Sequence, residues 1–237
     1  MLVRLGQEVQ ALSRHVTETA GRGPAPTASR VGVHLGRWLL VACVAVFAGV
    51  AFDVTHGGRL AGADEHIAHW CFRHVTGRLH AACSWATHLG DSPLLAVLVV
   101  IAIAWLLRRQ RRFDAVLLTA SAGATAALTA GLKLAFHRSR PVYVDPVHGP
   151  KSFSFPSGHA SGAFAVYLLL AILLTVSLSG RVRSWAIGAA FALATLVAVT
   201  RVLLPVHFLS DVVAGTAIGL AVVAVAILAR RSYVHRS

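Results

Sequence analysis

Eight residues in three short segments have the types and spacings that phosphoryl chemistry requires. Lys133 is followed seven positions later by Arg140 and then Pro141. Ser157, Gly158 and His159 follow Pro156, while Arg201, preceded by Thr200, is followed by His207 and Asp211. Seven residues is two helical turns, so on a helix persisting nearly to Pro141 the two cations share a face and can hold a polyanion. Pro141 is expected to stop that helix. Ser157 is suited to an N-cap, and Gly158 permits close approach of backbone, so the helix start offers free N–H groups and a favourable dipole to phosphate oxygens. His159 sits beside that cradle as a proton donor or acceptor. His207 and Asp211 are four apart, so the carboxylate can take a hydrogen bond from the imidazole, fix its tautomer and leave the other nitrogen free. That is the geometry of an activated nucleophile.

Taken singly, each residue has an ordinary explanation: a solvated histidine, a routine cap, an arginine snorkelling at a membrane boundary. Taken together they do not, because three cations, two histidines, a carboxylate and an anion-binding helix start share no structural rationale on one face.

The elements that must bring them together are membrane helices. Of 237 residues, 56% are hydrophobic and 13% charged, about half the charge usual in a soluble domain. The mean hydropathy is +0.68. An integral membrane protein follows. Six uncharged apolar runs, at 38–52, 92–107, 115–132, 160–180, 184–200 and 212–229, each extend to a span of about 20 residues when interfacial residues are added. The expected fold is all-α, a six-transmembrane-helix bundle over 37–230. The three chemical segments fall at helix ends on one membrane face.

Net charge is +13, which in a soluble chain would suggest nucleic acid. With the N-terminus in the cytoplasm, 14 of the 22 basic residues lie inside and eight outside, so the charge reads as inside-positive topology and nucleic acid is not an expected partner. Residues 1–36 are polar and Arg-bearing and read as a flexible cytoplasmic tail, with 231–237 as a second. The outer segment 55–91 carries Ile67, Trp70, Cys71, Val75 and Leu79 at three- and four-residue spacing, and an amphipathic helix on the outer surface is expected at about 64–80. Its histidines, including His66, His69 and His74, lack a carboxylate or Cys to complete a ligand set, so no metal site is expected. Cys71 and Cys83 are the one pair placed to bond, in an oxidising exterior. Gly215 and Gly219 form a GxxxG, read as packing within the bundle in preference to dimerisation.

The spacing Lys133, Arg140-Pro141, then Pro156-Ser157-Gly158-His159, then Thr200-Arg201, His207 and Asp211 closely resembles the three-part signature of the type 2 phosphatidic acid phosphatase (PAP2) superfamily, over about residues 38–230. Thr200 stands where Ser is common there and retains a hydroxyl. The resemblance implies a membrane lipid phosphatase that is metal-independent, uses no cofactor and works through a phosphohistidine. His207 is then the nucleophile, Asp211 its orienting partner and His159 the general acid; Lys133, Arg140, Ser157, Gly158 and Arg201 form the phosphate cradle. The chain's nine acidic residues are scattered, with no cluster to hold Mg²⁺. The expected substrate is a lipid phosphate or diphosphate from the bilayer, first a polyprenyl diphosphate such as undecaprenyl diphosphate left outside after cell-wall glycan transfer. Phosphatidic acid and phosphatidylglycerophosphate are the alternatives. A flippase using the same anion site would have no need for the His207–Asp211 pair, and the superfamily's vanadate-dependent haloperoxidases resemble the chain less, because those relatives are soluble. The expected location is the cell membrane, multi-pass, with termini in the cytoplasm and the active site outside. Oligomeric state is not legible.

Overall fold

Each of the six apolar runs forms a helix, although the fourth, expected over 160–180, is helical only as far as Leu174. The computed structural model describes residues 26–143 and 152–234, with side chains from Val33 onward. Most of the expected N-terminal tail, Lys151 and the last three residues lie outside these. The helices are α1 (Pro26–Thr55), α2 (Arg59–His74), α3 (Gly77–Thr87), α4 (Ser92–Arg108), α5 (Arg112–Phe136), α6 (Gly158–Leu174), α7 (Gly180–Leu203) and α8 (Leu209–Val234), with a 3₁₀ turn at His88–Gly90. No strand occurs among the described residues.

Four helical stretches, Val33–Thr55, Arg112–Phe136, Gly180–Leu203 and Leu209–Val234, are long and apolar enough to cross a membrane alone, and the bent pair Gly77–Gly90 with Ser92–Arg108 makes a fifth. The protein is a multi-pass membrane protein. Helix α6 is apolar but only 17 residues long, about 26 Å against a hydrocarbon core of about 30 Å. Its position explains the composition: α4, α5, α7 and α8 all pack on it, and Ala160, Ala163, Phe164, Ala165, Leu168 and Leu169 are buried around its circumference. A helix apolar on every side needs neighbours on every side. Outer helices instead turn Val41, Val44, Val100, Ile101, Leu128 and Val199 outward, as lipid-facing surfaces do.

Small residues set the closest approach. A Cβ on Gly215 would lie 2.4 Å from the carbonyl oxygen of Ser157, and one on Gly219 would lie 2.7 Å from that of Ser161. The GxxxG therefore faces α6 within the bundle, where close backbone approach gains dispersion contact that lipid tails cannot displace.

Two further boundaries differ from expectation. Helix α1 starts at Pro26, inside the expected tail: proline suits the first helical position, and Gly36 lets the extension meet Leu228 of α8. The outer segment is two helices broken at Val75 and Thr76, where α2 ends at a non-helical Val75. Its buried face is Asp64, Ala68, Cys71 and Val75, whereas Trp70 and Leu79, placed on the apolar face by spacing, are exposed. Helix α2 packs on α1, α7 and α8, so a buried carboxylate, not an apolar stripe alone, decides which side turns inward. Cys71 and Cys83 are buried free thiols.

The bundle has a polar cluster at each end. At one, Asp114 of α5 receives Arg111 at 2.5 Å and Arg230 of α8 at 2.7 Å. The other holds the three chemical segments.

Candidate active site

Helix α5 ends earlier than the spacing suggested. His137 adopts a left-handed conformation (φ +48°) with its N–H on the carbonyl of Lys133, a C-terminal cap that closes the helix at Phe136, four residues before Arg140. Lys133 and Arg140 consequently do not share a helical face. They converge by a different route: the Lys133 ammonium donates to the carbonyls of Phe153 and Ser154, while Arg140, beyond the turn, donates to the Ser152 carbonyl at 2.9 Å and the Val206 carbonyl at 2.6 Å. Both cations thus clamp the 152–154 strand of loop that leads into α6.

That loop delivers Ser157 as the N-cap of α6, its hydroxyl 3.5 Å from the Ala160 amide. The Ser157 amide donates to the Asp211 carbonyl at 2.9 Å, tying the start of α6 to the start of α8. A Cβ on Gly158 would only touch Thr129 at 3.6 Å, so no protein group crowds that position.

His207 lies between α7 and α8 and is 2% exposed. Its Nδ1 is 3.4 Å from Asp211 Oδ2 and 3.3 Å from the Ser154 hydroxyl, which itself donates to Asp211. Its Nε2 faces the Arg140 guanidinium at 3.2 Å. Arginine has donors only, so Nε2 accepts and the proton belongs on Nδ1, directed to Ser154 and Asp211. Burial drives the His207 pKa down to about 3, Asp211 opposing and Arg140 reinforcing, so the ring is neutral at physiological pH. Burial likewise disfavours the charge on Arg140, with Asp211 opposing.

Asp211 is fully buried and saturated. Its Oδ1 takes Arg138 at 2.6 Å, and its Oδ2 takes Ser154 and the Phe208 amide at 3.0 Å. Arg138 also pairs with Asp64 of α2 at 2.9 Å and packs over the Phe208 ring at 4.3 Å. Asp64 in turn receives the amide and hydroxyl of Ser210. Asp64, Arg138 and Ser154 carry no helical period or short motif and were not singled out from sequence. A signal existed for Asp64: with nine acidic residues in a membrane chain, a carboxylate on the chemical side is costly and therefore informative.

Arg201 is 7% exposed, donates to the Thr87 hydroxyl at 2.8 Å, and has an Nε with no partner. An orphaned guanidinium N–H in a buried position fits an anion. Thr200, the departure from the family's usual Ser, donates its hydroxyl to the Val197 carbonyl at 2.7 Å. His159, the second residue of α6, has its Nε2 3.0 Å from Asp91 Oδ1, another partner not read from sequence. All eight sequence-selected residues thus lie at one end of the bundle. Among the described residues, no three His, Cys, Asp or Glu side chains are grouped as metal ligands would be.

Comparison with known proteins bears on this arrangement. The PAP2 superfamily model matches residues 114–233, which contain all three segments. Phosphatidylglycerophosphatase B of Bacillus subtilis (strain 168) is 34% identical over 167 residues, 70% of this chain and 82% of the relative. The crystal structure of a transmembrane PAP2-type phosphatidylglycerolphosphate phosphatase from Bacillus subtilis superposes with a TM-score of 0.74 at 29% identity, covering 84% of this chain and 96% of that one. With the family model matching half of its length, and with sequence and fold shared with these membrane phosphatases, the chain belongs to the PAP2 superfamily, as a membrane lipid phosphatase that hydrolyses phosphoric esters.

Proposed function

We propose that the protein hydrolyses its lipid substrate through a phosphohistidine on His207. The observation that carries this reading is the pairing of a neutral imidazole, its Nε2 unprotonated and turned toward Arg140, with a nearby arginine whose Nε lacks a partner. In the first step Nε2 attacks phosphorus in line, the bond from phosphorus to the leaving oxygen breaks, and His159 gives that oxygen a proton. In the second, water attacks phosphorus, the P–N bond breaks, and His159 takes the water's proton. Asp211 and Ser154 hold the His207 ring and favour the imidazolium character that develops on attack. Lys133, Arg140, Arg201 and the first amides of α6, at Gly158 and His159, stabilise charge on the equatorial oxygens, the work a metal ion performs in other phosphatases.

In our reading the membrane is crossed six times, with α6 as the short central span, and both termini lie in the cytoplasm, which puts the catalytic end outside. The charge distribution supports this orientation, and exposed tryptophans bracket the bundle, Trp38, Trp105 and Trp185 toward one end and Trp70 and Trp85 toward the other. The preferred substrate is phosphatidylglycerophosphate, supported by the names of the two relatives above. A polyprenyl diphosphate is the second reading, favoured by three cations where a single phosphate needs fewer. Phosphate release by the purified protein, in detergent with EDTA, from phosphatidylglycerophosphate, phosphatidic acid and undecaprenyl diphosphate ranks them, with His207→Ala as blank. Release from none of the three, or release that requires added Mg²⁺, refutes the reading.

A further inference from the structure

The segment from Thr87 to Asp91 breaks the bent helix pair, the two arms meeting at 41°. It is fastened on several sides. Tyr167 of α6 donates to the Leu89 carbonyl at 2.5 Å, and the Thr87 hydroxyl receives Arg201 at 2.8 Å. Gly90 admits the closest approach: a Cβ there would lie 2.4 Å from Val197 and 3.0 Å from the His159 ring. The turn is therefore held against both a phosphate-facing arginine and the second histidine.

Asp91 stands at the N-cap of α4, where an aspartate ordinarily accepts an amide of its own helix. It makes no such bond. Its Oδ1 is instead 3.0 Å from His159 Nε2, and its Oδ2 is 2.7 Å from His88 Nδ1. We propose that Asp91 is the positioning residue of His159, holding the ring through Nε2 and so presenting Nδ1 to the departing lipid oxygen.

The chemistry follows from what a carboxylate can do. Ionised, it only accepts, so Nε2 must carry a proton and the transferable one sits on Nδ1. As the P–O bond breaks, that Nδ1 proton goes to the leaving oxygen; water supplies its replacement when the phosphohistidine is cleaved. Nε2 keeps its proton throughout. His88, bonded to the other oxygen, fixes the carboxylate's orientation. The site then has two carboxylate-held imidazoles with opposite presentation: His207 is held through Nδ1 and offers Nε2, His159 is held through Nε2 and offers Nδ1. The inference rests on the reading of His159 as general acid and adds the group that makes it one.

The test uses the full chain in detergent or nanodiscs, with Asp91→Ala, Asp91→Asn and His159→Ala assayed on a lipid monophosphate, whose alkoxide needs a proton, and on p-nitrophenyl phosphate, whose phenolate needs little. Asp91→Ala is expected to lower kcat/KM, which reports only the step in which the leaving group departs, by about 10- to 100-fold on the lipid, within the contribution of a general acid, and by less than about threefold on the aryl ester. The aryl ester doubles as the check that the variant is folded. Asp91→Asn retains an acceptor oxygen and should recover part of the lipid activity, and Asp91→Ala should cost little more when His159 is already Ala. If His159→Ala shows the leaving-group dependence but Asp91→Ala slows both substrates equally, or adds fully to His159→Ala, the positioning role is wrong and the acid assignment stands. If His159→Ala itself loses the same factor of kcat/KM on both substrates, the acid assignment and the inference fall together.

Discussion

The two polar ends of the bundle use the same ingredients in opposite ways. At the α5 start, one carboxylate, Asp114, is gripped by Arg111 and Arg230, and the three groups satisfy one another while joining α5 to α8. At the other end, Asp64 and Asp211 share Arg138, and this buried Asp–Arg–Asp bridge fixes α2, the loop after α5 and α8 around His207. Beyond the bridge stand Lys133, Arg140 and Arg201, which bond to carbonyls, hydroxyls and His207 and to no carboxylate among the described residues. One end is closed, in that its buried carboxylate is paired with both arginines; the other is open, in that its three cations have no carboxylate partner among the described residues. Structural and functional arginines in the same membrane protein are told apart by whether their donors are filled.

The largest expected consequence is at Arg201. Arg201→Met should cut kcat/KM by about 10²- to 10³-fold, because it removes a preorganised donor for developing charge, yet leave the melting temperature unchanged or raised, because a desolvated charge with an unfilled donor is lost with it. Arg201→Lys should not restore turnover, since an ammonium lacks the planar fork. A melting temperature that falls as far as activity does would make Arg201 a structural residue and erase the contrast.

At the closed end the pattern inverts. Asp114→Asn strands two arginines and should destabilise by about 1–3 kcal/mol, less than a fully buried pair because the arginines are partly solvated. Turnover per folded molecule should stay within about twofold. Thermal melts paired with specific activity decide it, and a tenfold loss of activity without a melting shift would link the two ends functionally.

This division also explains what was legible in the sequence. The eight catalytic candidates could be read because their types and short spacings meet chemical needs at helix ends. The groups that hold them could not: Asp64, Asp91, Arg138 and Ser154 act across separations of roughly 50 to 150 residues, and a single polar residue has no period. Six apolar runs gave the helices, since hydrophobicity in a membrane chain is a local property. Helix ends were harder. The left-handed turn at His137 closes α5 before Pro141 has any influence, and the outer segment breaks at Val75, a non-helical residue that is neither glycine nor proline.

The smallest effect distinguishes the ends by pH. His207 is neutral when folded, with a pKa near 3 against an ordinary 6.5, so its contribution to stability is complete above about pH 6.5 and is lost as pH falls toward 3, where the unfolded chain takes up a proton that the native site refuses. Between about pH 7 and pH 5 wild-type protein should lose a few degrees of melting temperature more than His207→Asn. Identical pH slopes for the two would mean that the ring is solvated in solution.

The central claim, that the open end turns over phosphate through His207, is tested most directly by trapping the intermediate. Protein mixed with lipid substrate labelled in the phosphoryl group, and quenched in alkali within milliseconds, should carry acid-labile, base-stable label on the peptide containing His207. From p-nitrophenyl phosphate labelled in the same way, whose phenolate leaves with little help from an acid, label should build up in His159→Ala, which lacks the group that activates water for the second step, and it should be absent in His207→Ala with either substrate. Equal labelling of His207→Ala and wild type, or turnover with no labelled protein at any time, would contradict the account.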